Sequence, residues 1–172
     1  MRRGVLTARE SDALVCGADS LTFAAFERRL EQLHGLLHEL GTARGDRVAV
    51  LSFNSIPFAE LYFGVPMAGR VVMPLNFRWA DPEIAYAIED SGARVLFCDR
   101  DPGELADLVD TVVRLDLVDG ASDYQERMSA ASRKPFVAAD EDDVIGLFYT
   151  GGTTGQSKGV MLTHRNLSLI HI

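Results

Sequence analysis

Between residues 23 and 40 the apolar side chains Phe23, Phe26, Leu30, Leu33, Leu37 and Leu40 recur at alternating spacings of three and four. That rhythm puts all six on one face of a helix. Thr22 supplies an N-cap hydroxyl and Gly41 a C-terminal stop. Other apolar runs are short and do not alternate. Arg47–Ser52, Val71–Leu75, Arg94–Cys98, Thr111–Leu115 and Val144–Thr150 therefore read as strands buried on both faces. Asp12–Gly17 reads as a short edge strand before a turn at Ala18-Asp19-Ser20.

Helical patterns separate these strands. Ser55–Ala68 carries Pro57 in its first turn, and Pro66 should kink the helix or end it early. Asp81-Pro82-Glu83 opens the next helix, with Asp81 as cap and Pro82 at the first position, and Gly92 closes it. Asp101-Pro102 opens a short helix, and residues 116–134 predict a polar loop with one helix near Asp123–Ala131. Strands alternating with helices argue for an α/β fold: right-handed crossovers and a largely parallel sheet with flanking helices. No repeat and no linker divides the chain, so residues 1–172 read as one unit.

Composition narrows the function classes. With 47% hydrophobic and 24% charged residues, the chain is not an intrinsically disordered one. Its net charge of −8 argues against nucleic acid as a partner. The acidity is local: residues 101–150 hold twelve acidic against four basic groups, and residues after 150 hold two basic groups and no acidic one. A solvated acidic surface accounts for the first stretch. Cys16 and Cys98 stand far apart with no metal-ligand spacing around them, which suits a reduced, cytoplasmic setting. No apolar run approaches the ~18 residues of a membrane span, and none follows the basic start as a signal peptide requires. His34 and His38 lie one helical turn apart, but no third ligand is near, so a surface or half-buried pair is expected rather than a metal site.

The chemistry gathers at residues 149–160, Tyr-Thr-Gly-Gly-Thr-Thr-Gly-Gln-Ser-Lys-Gly-Val, directly after a buried strand. Glycines let backbone N–H groups turn towards an anion, threonine hydroxyls add donors, and Lys158 adds a compact positive charge. Lys158 is one of only two lysines in the chain, so a cation at this position is not background. Neither the Walker spacing nor G-x-G-x-x-G fits. Two readings stand side by side: a loop that cradles phosphate, and a plain hairpin turn joining Val144–Thr150 to Gly159–Thr163.

This segment resembles the signature loop of the adenylate-forming (AMP-binding) superfamily: acyl-CoA synthetases, peptide-synthetase adenylation domains and firefly-type luciferases. The family pattern runs Tyr-Thr-Ser/Gly-Gly-Thr-Thr-Gly-x-Pro-Lys-Gly-Val, and Ser157 is the one departure. Gly45-Asp46-Arg47-Val48-Ala49, Asn54-Ser55, Ala68–Asn76, Asp90-Ser91-Gly92-Ala93-Arg94 and Asp142-Asp143 extend the resemblance over about Ser20 to Leu167. Pro66 and Arg70 depart from it, since the family carries a helix-compatible residue and a small one there.

The resemblance implies an acid–thiol ligase of the acyl-CoA synthetase type. ATP and a small-molecule carboxylate give an acyl-adenylate and pyrophosphate, and CoA then takes the acyl group. Carried over, Thr150, Thr153 and Thr154 would donate hydroxyls to the ATP phosphates. Gly151, Gly152 and Gly155 would let the backbone close in, and Lys158 would pair with phosphate charge. The resemblance places the acyl pocket, the magnesium-holding glutamate and a mobile C-terminal domain beyond residue 172. The expectation is therefore a portion of the large N-terminal domain with no catalytic or metal-ligating residue of its own and no ATP–pyrophosphate exchange on its own. Ser168–Ile172 resemble translated adapter sequence rather than native protein. A peptide-synthetase adenylation domain and a non-catalytic nucleotide- or partner-binding protein are the alternatives.

Overall fold

Strands without a polar face need cover on both sides, and the computed structural model, which describes residues 6–116, 122–151 and 156–168, supplies it with two helical layers. The chain opens with a hairpin of β1 (Asp12–Cys16) and β2 (Asp19–Thr22), then α1 (Phe23–Glu39). Next come β3 (Arg47–Leu51), α2 (Ile56–Met67), β4 (Val71–Pro74), α3 (Asp81–Ser91) and β5 (Val95–Cys98). A 3-10 helix (Gly103–Leu108), β6 (Thr111–Arg114) and α4 (Asp123–Ala130) lead to β7 (Val144–Thr150), β8 (Lys158–Thr163) and α5 (His164–Ser168).

The main sheet runs β6-β5-β3-β4-β7-β8. Every pairing from β6 across to β7 is parallel, and only β7–β8 is antiparallel. The largely parallel sheet expected from the sequence is therefore present. Side chains alternate across it. Val48, Val50, Val72, Val95 and Phe97 pack with α1, α2 and α4, whereas Ala49, Leu51, Met73, Leu96 and Cys98 pack with α3 and the 3-10 helix. Among the described residues no helix is long and apolar enough to cross a membrane. Both cysteines are free thiols, and burial, as the largest cause, pushes the Cys98 thiol up to about 11.

Helix ends follow local chemistry. The Thr22 hydroxyl accepts from the Ala25 N–H at 3.2 Å, and the Ser55 hydroxyl from that of Phe58 at 3.2 Å. Gly92 takes φ 64°, the left-handed conformation of a helix stop. Helix α2 runs through Pro66 to Met67 rather than ending early, and the Ala68 N–H still donates to the Gly64 carbonyl at 2.9 Å.

Three details depart from the sequence reading. Residues 19–22 form a strand rather than a turn, because Gly17 at φ 63° lets the chain reverse over Gly17-Ala18. Ala80, not Asp81, is the cap of α3, so Asp81 and Pro82 are its first two residues. The Glu83 carboxylate accepts the Ala80 N–H at 3.0 Å, and the Asp81 carboxylate accepts from Arg100 at 2.5 Å instead. His34 and His38 also part company: His38 is exposed, while His34 is only 7% exposed.

The segment after α4 explains His34. It runs back across α1, so that Lys134 N–H donates to the Glu31 carbonyl at 3.0 Å and the His34 Nδ1 meets the Pro135 carbonyl at 2.8 Å. The approach is close. A Cβ on Gly35 would lie 1.7 Å from the Ser132 carbonyl oxygen, so only glycine fits that helix position. The acidic stretch is tied down too, with Asp110, Asp116, Asp123 and Asp143 each paired to an arginine.

Two buried charges stitch the layers together. Arg70 donates to the Thr42 carbonyl at 2.7 Å and to the Ala68 carbonyl, which joins the start of β4 to the end of α1. Glu60 in α2 is fully buried. It pairs with Arg29 of α1 and accepts the Tyr124 hydroxyl of α4 at 2.8 Å. Burial, and then the Glu60 charge, holds the Tyr124 hydroxyl far above its usual range and so protonated.

Glu60→Ala is expected to destabilise the chain by about 3 kcal/mol, because it leaves Arg29 and the Tyr124 hydroxyl without their shared acceptor. Urea unfolding of Glu60→Ala checks this, and Tyr124→Phe should lose only about 1 kcal/mol. A second expectation concerns pH. Burial, first, and the nearby Arg70 and Lys134 charges hold the His34 imidazole below its ordinary 6.5. The unfolded chain then takes up a proton that the folded one refuses, so the His34 contribution is complete above its ordinary value and lost as pH falls through its folded value. Between about pH 7 and 5, wild-type stability should fall more steeply than that of His34→Gln. Equal slopes in urea titrations would refute it.

Candidate phosphate-binding site

β7 brings the Gly/Thr-rich segment to the C-terminal end of the parallel sheet. Its Thr150 pairs with Lys158 and its Tyr149 with Gly159, so the segment closes an antiparallel hairpin. The two sequence readings are thus compatible: the loop is a hairpin connection, and its ends are fixed where open α/β sheets bind ligands. Of the residues proposed from sequence, Thr150, Gly151 and Lys158 are in place at this end. Gly152, Thr153, Thr154 and Gly155 lie outside the described residues.

Lys158 and Gly151 are exposed. The Thr150 hydroxyl sits 3.5 Å from the Lys158 carbonyl oxygen across the hairpin. Gly151 does not use the left-handed region, and a Cβ there would meet nothing within 4 Å. No atom of the described chain therefore requires glycine at 151, and the space above it is open. Gly159 has a different reason. A Cβ there would lie 2.9 Å from Leu147 Cδ1 and 3.2 Å from Tyr149 Cζ, so its missing side chain makes room for the tyrosine ring.

Tyr149 reaches back into the body of the fold. Its hydroxyl donates to Asp90 Oδ2 of α3 at 2.6 Å. Burial, then the hydrogen bond to Asp90 and its charge, raises the Tyr149 hydroxyl well above its ordinary value, so it stays a donor. Between the loop ends and α3 lies a cleft of about 250 Å³. Trp79, Pro82, Glu83 and Tyr86 form one wall, and Gly151, Gln156 and Ser157 form the other. Sequence reasoning did not connect these residues. Tyr149 and Asp90 both fell in segments singled out there, but 59 residues separate them and only packing brings them together.

A second cleft of about 290 Å³ opens near the starts of β3, β4 and β7. Its arginines are already engaged, Arg44 with Asp143 and Arg70 with backbone carbonyls, so it does not offer free positive charge to an anion. Among the described residues no group of three or more His, Cys, Asp or Glu side chains is placed to hold a metal ion.

The model of the AMP-binding enzyme family matches residues 2–170. The long-chain-fatty-acid–CoA ligase FadD13 of Mycobacterium tuberculosis is 35% identical over 152 residues, covering 86% of this chain and 30% of that protein. Feruloyl-CoA synthase of an Amycolatopsis species is 38% identical over 152 residues, covering 88% of this chain and 30% of that protein. Among solved structures, ATP-bound MatB from Rhodopseudomonas palustris superposes with a TM-score of 0.86 at 30% identity, covering 95% of this chain and 34% of that one. The chain thus spans about a third of the length of the curated relatives it matches. Its strand order, its glycine-rich hairpin and this match over nearly the whole length place the chain in the family of AMP-binding enzymes.

Proposed function

We propose that these residues supply the ATP phosphate-binding part of an ATP-dependent acyl-CoA synthetase acting in the cytoplasm on a small-molecule carboxylate, fatty or otherwise. A carboxylate oxygen attacks the α-phosphorus of ATP, pyrophosphate leaves, and an acyl-adenylate forms. The CoA thiol then attacks the acyl carbon and AMP leaves. The observation that carries this reading is the Tyr149–Val160 segment, whose two ends pair as antiparallel strands at the C-terminal end of the sheet in a chain of the AMP-binding family.

In this reading the hydroxyls of Thr150, Thr153 and Thr154 and the backbone around Gly151, Gly152 and Gly155 hold the β- and γ-phosphates. Lys158 neutralises charge that grows on pyrophosphate as it departs. Such groups act by position and electrostatics, without forming a covalent bond to substrate. Magnesium accompanies ATP in this chemistry, but the described residues offer it no ligand cluster.

The test is ATP–pyrophosphate exchange in the gene product that carries this chain, across a panel of carboxylates. Lys158→Ala should lower kcat/KM for ATP about a hundredfold while the KM for the carboxylate moves less than about twofold. A wild-type protein that binds nucleotide but exchanges with none of the panel would overturn the ligase reading in favour of a binding protein.

A further inference from the structure

The loop-bearing half of β7 is weakly held by the sheet. β7 pairs with its parallel neighbour β4 at a single register position, Val72 with Gly146. From Leu147 to Thr150 its ladder partner is β8, which is the outermost strand of the sheet. Val160 and Met161 of β8 are exposed, so β8 brings little burial to steady the pair. Main-chain pairing thus ties Leu147–Thr150 to β8 and not to β4 or α3.

Leu147 packs on the α3-side core and Phe148 meets the Tyr62 ring of α2, and one side chain adds a hydrogen bond to α3. Tyr149, the residue before Thr150, lays its ring over Gly159 and donates its hydroxyl to Asp90 Oδ2 at 2.6 Å. Asp90 lies in the last turn of α3, and α3 is anchored by fully buried Ile84, Ala87 and Ile88. The first turns of the same helix carry Pro82, Glu83 and Tyr86, which with Trp79 face Gly151 and Ser157 across the 250 Å³ cleft. A rigid helix thus holds the hairpin at Tyr149 and fronts the loop at its other end. We infer that Tyr149 and Asp90 are a positioning pair: their hydrogen bond fixes the glycine-rich hairpin against α3 and thereby sets where the phosphate donors stand. The functional half of this inference rests on the phosphate-binding reading above.

The pair is tested in two independent ways on the gene product that carries this chain. Hydrogen–deuterium exchange of peptides spanning residues 150–160 reads the tether without substrate. Tyr149→Phe and Asp90→Ala should each speed exchange there about tenfold, because the loss of one hydrogen bond to a charged acceptor is worth about that factor. Peptides from β3 and β5 should be unchanged, and Asp90→Asn, which keeps an acceptor oxygen, should retain most of the protection. In pyrophosphate exchange the same two variants should lower kcat/KM for ATP about tenfold with the carboxylate KM unmoved, and the double variant should be no worse than either single one.

Unchanged exchange at residues 150–160, additive effects, or equal loss across the whole chain would overturn the pairing. Faster exchange with normal ATP kinetics, in a protein where Lys158→Ala is impaired, would overturn the positioning role and leave the phosphate reading standing. If Lys158→Ala is also silent, the phosphate reading itself falls, and the positioning role falls with it.

Discussion

The whole arrangement depends on burying a parallel sheet on both faces. Parallel strands cannot leave one face in water as easily as antiparallel ones, because their crossovers run over the faces. β3 illustrates the consequence: Val48 and Val50 enter one core and Ala49 and Leu51 the other, and all four are essentially inaccessible. Helices must then lie on both sides, and right-handed crossovers decide which side each takes. The connection from β3 to β4 lies on one face, and those from β4 to β5 and from β5 to β6 lie on the other. The same constraint gathers the C-terminal ends of the strands at one edge, where the glycine-rich hairpin sits.

Burial of this kind also forces polar groups inside, and Glu60, Arg70 and His34 each find a partner there. Glu60 serves both Arg29 and Tyr124, so one carboxylate links α1, α2 and α4. The Arg70 guanidinium is absorbed by carbonyls of Thr42 and Ala68. His34 stays neutral against the Pro135 carbonyl. Removing any single partner strands a buried group, so these contacts are costly to break one at a time.

The C-terminal end of the sheet is built on the opposite principle. The hairpin has one parallel register pair to β4, side-chain packing by Leu147 and Phe148 and the Tyr149–Asp90 hydrogen bond, and its lysine and first glycine face solvent. On the proposed reading the loop must admit a large, highly charged ligand and release pyrophosphate, which a fully packed loop does not do. Such segments come from the less protected part of a fold. The acidic stretch before it is largely a surface of arginine pairs, so the change of sign after residue 150 leaves the positive side of the boundary on the loop.

The sequence by itself determined the local layers of this protein. The alternating three-and-four spacing in α1, the unbroken apolar runs in β3 and β5, and Gly41 and Gly92 as stops are all short-range patterns, and each is found where it was read. Even the misplaced cap of α3 and the missed β2 are errors of a residue or a single short strand, at boundaries where several side chains compete for the same backbone groups. Tertiary structure alone decided the rest: that Glu60 is buried, that Gly35 must be glycine because Ser132 crosses it, and that Tyr149 answers to Asp90. Each of these depends on two segments, 31 to 97 residues apart, being pressed together by burial that no local pattern encodes. The physical reason is that propensity and patterning act within a turn or two of chain, whereas partners for buried polar groups are chosen only after the layers have packed.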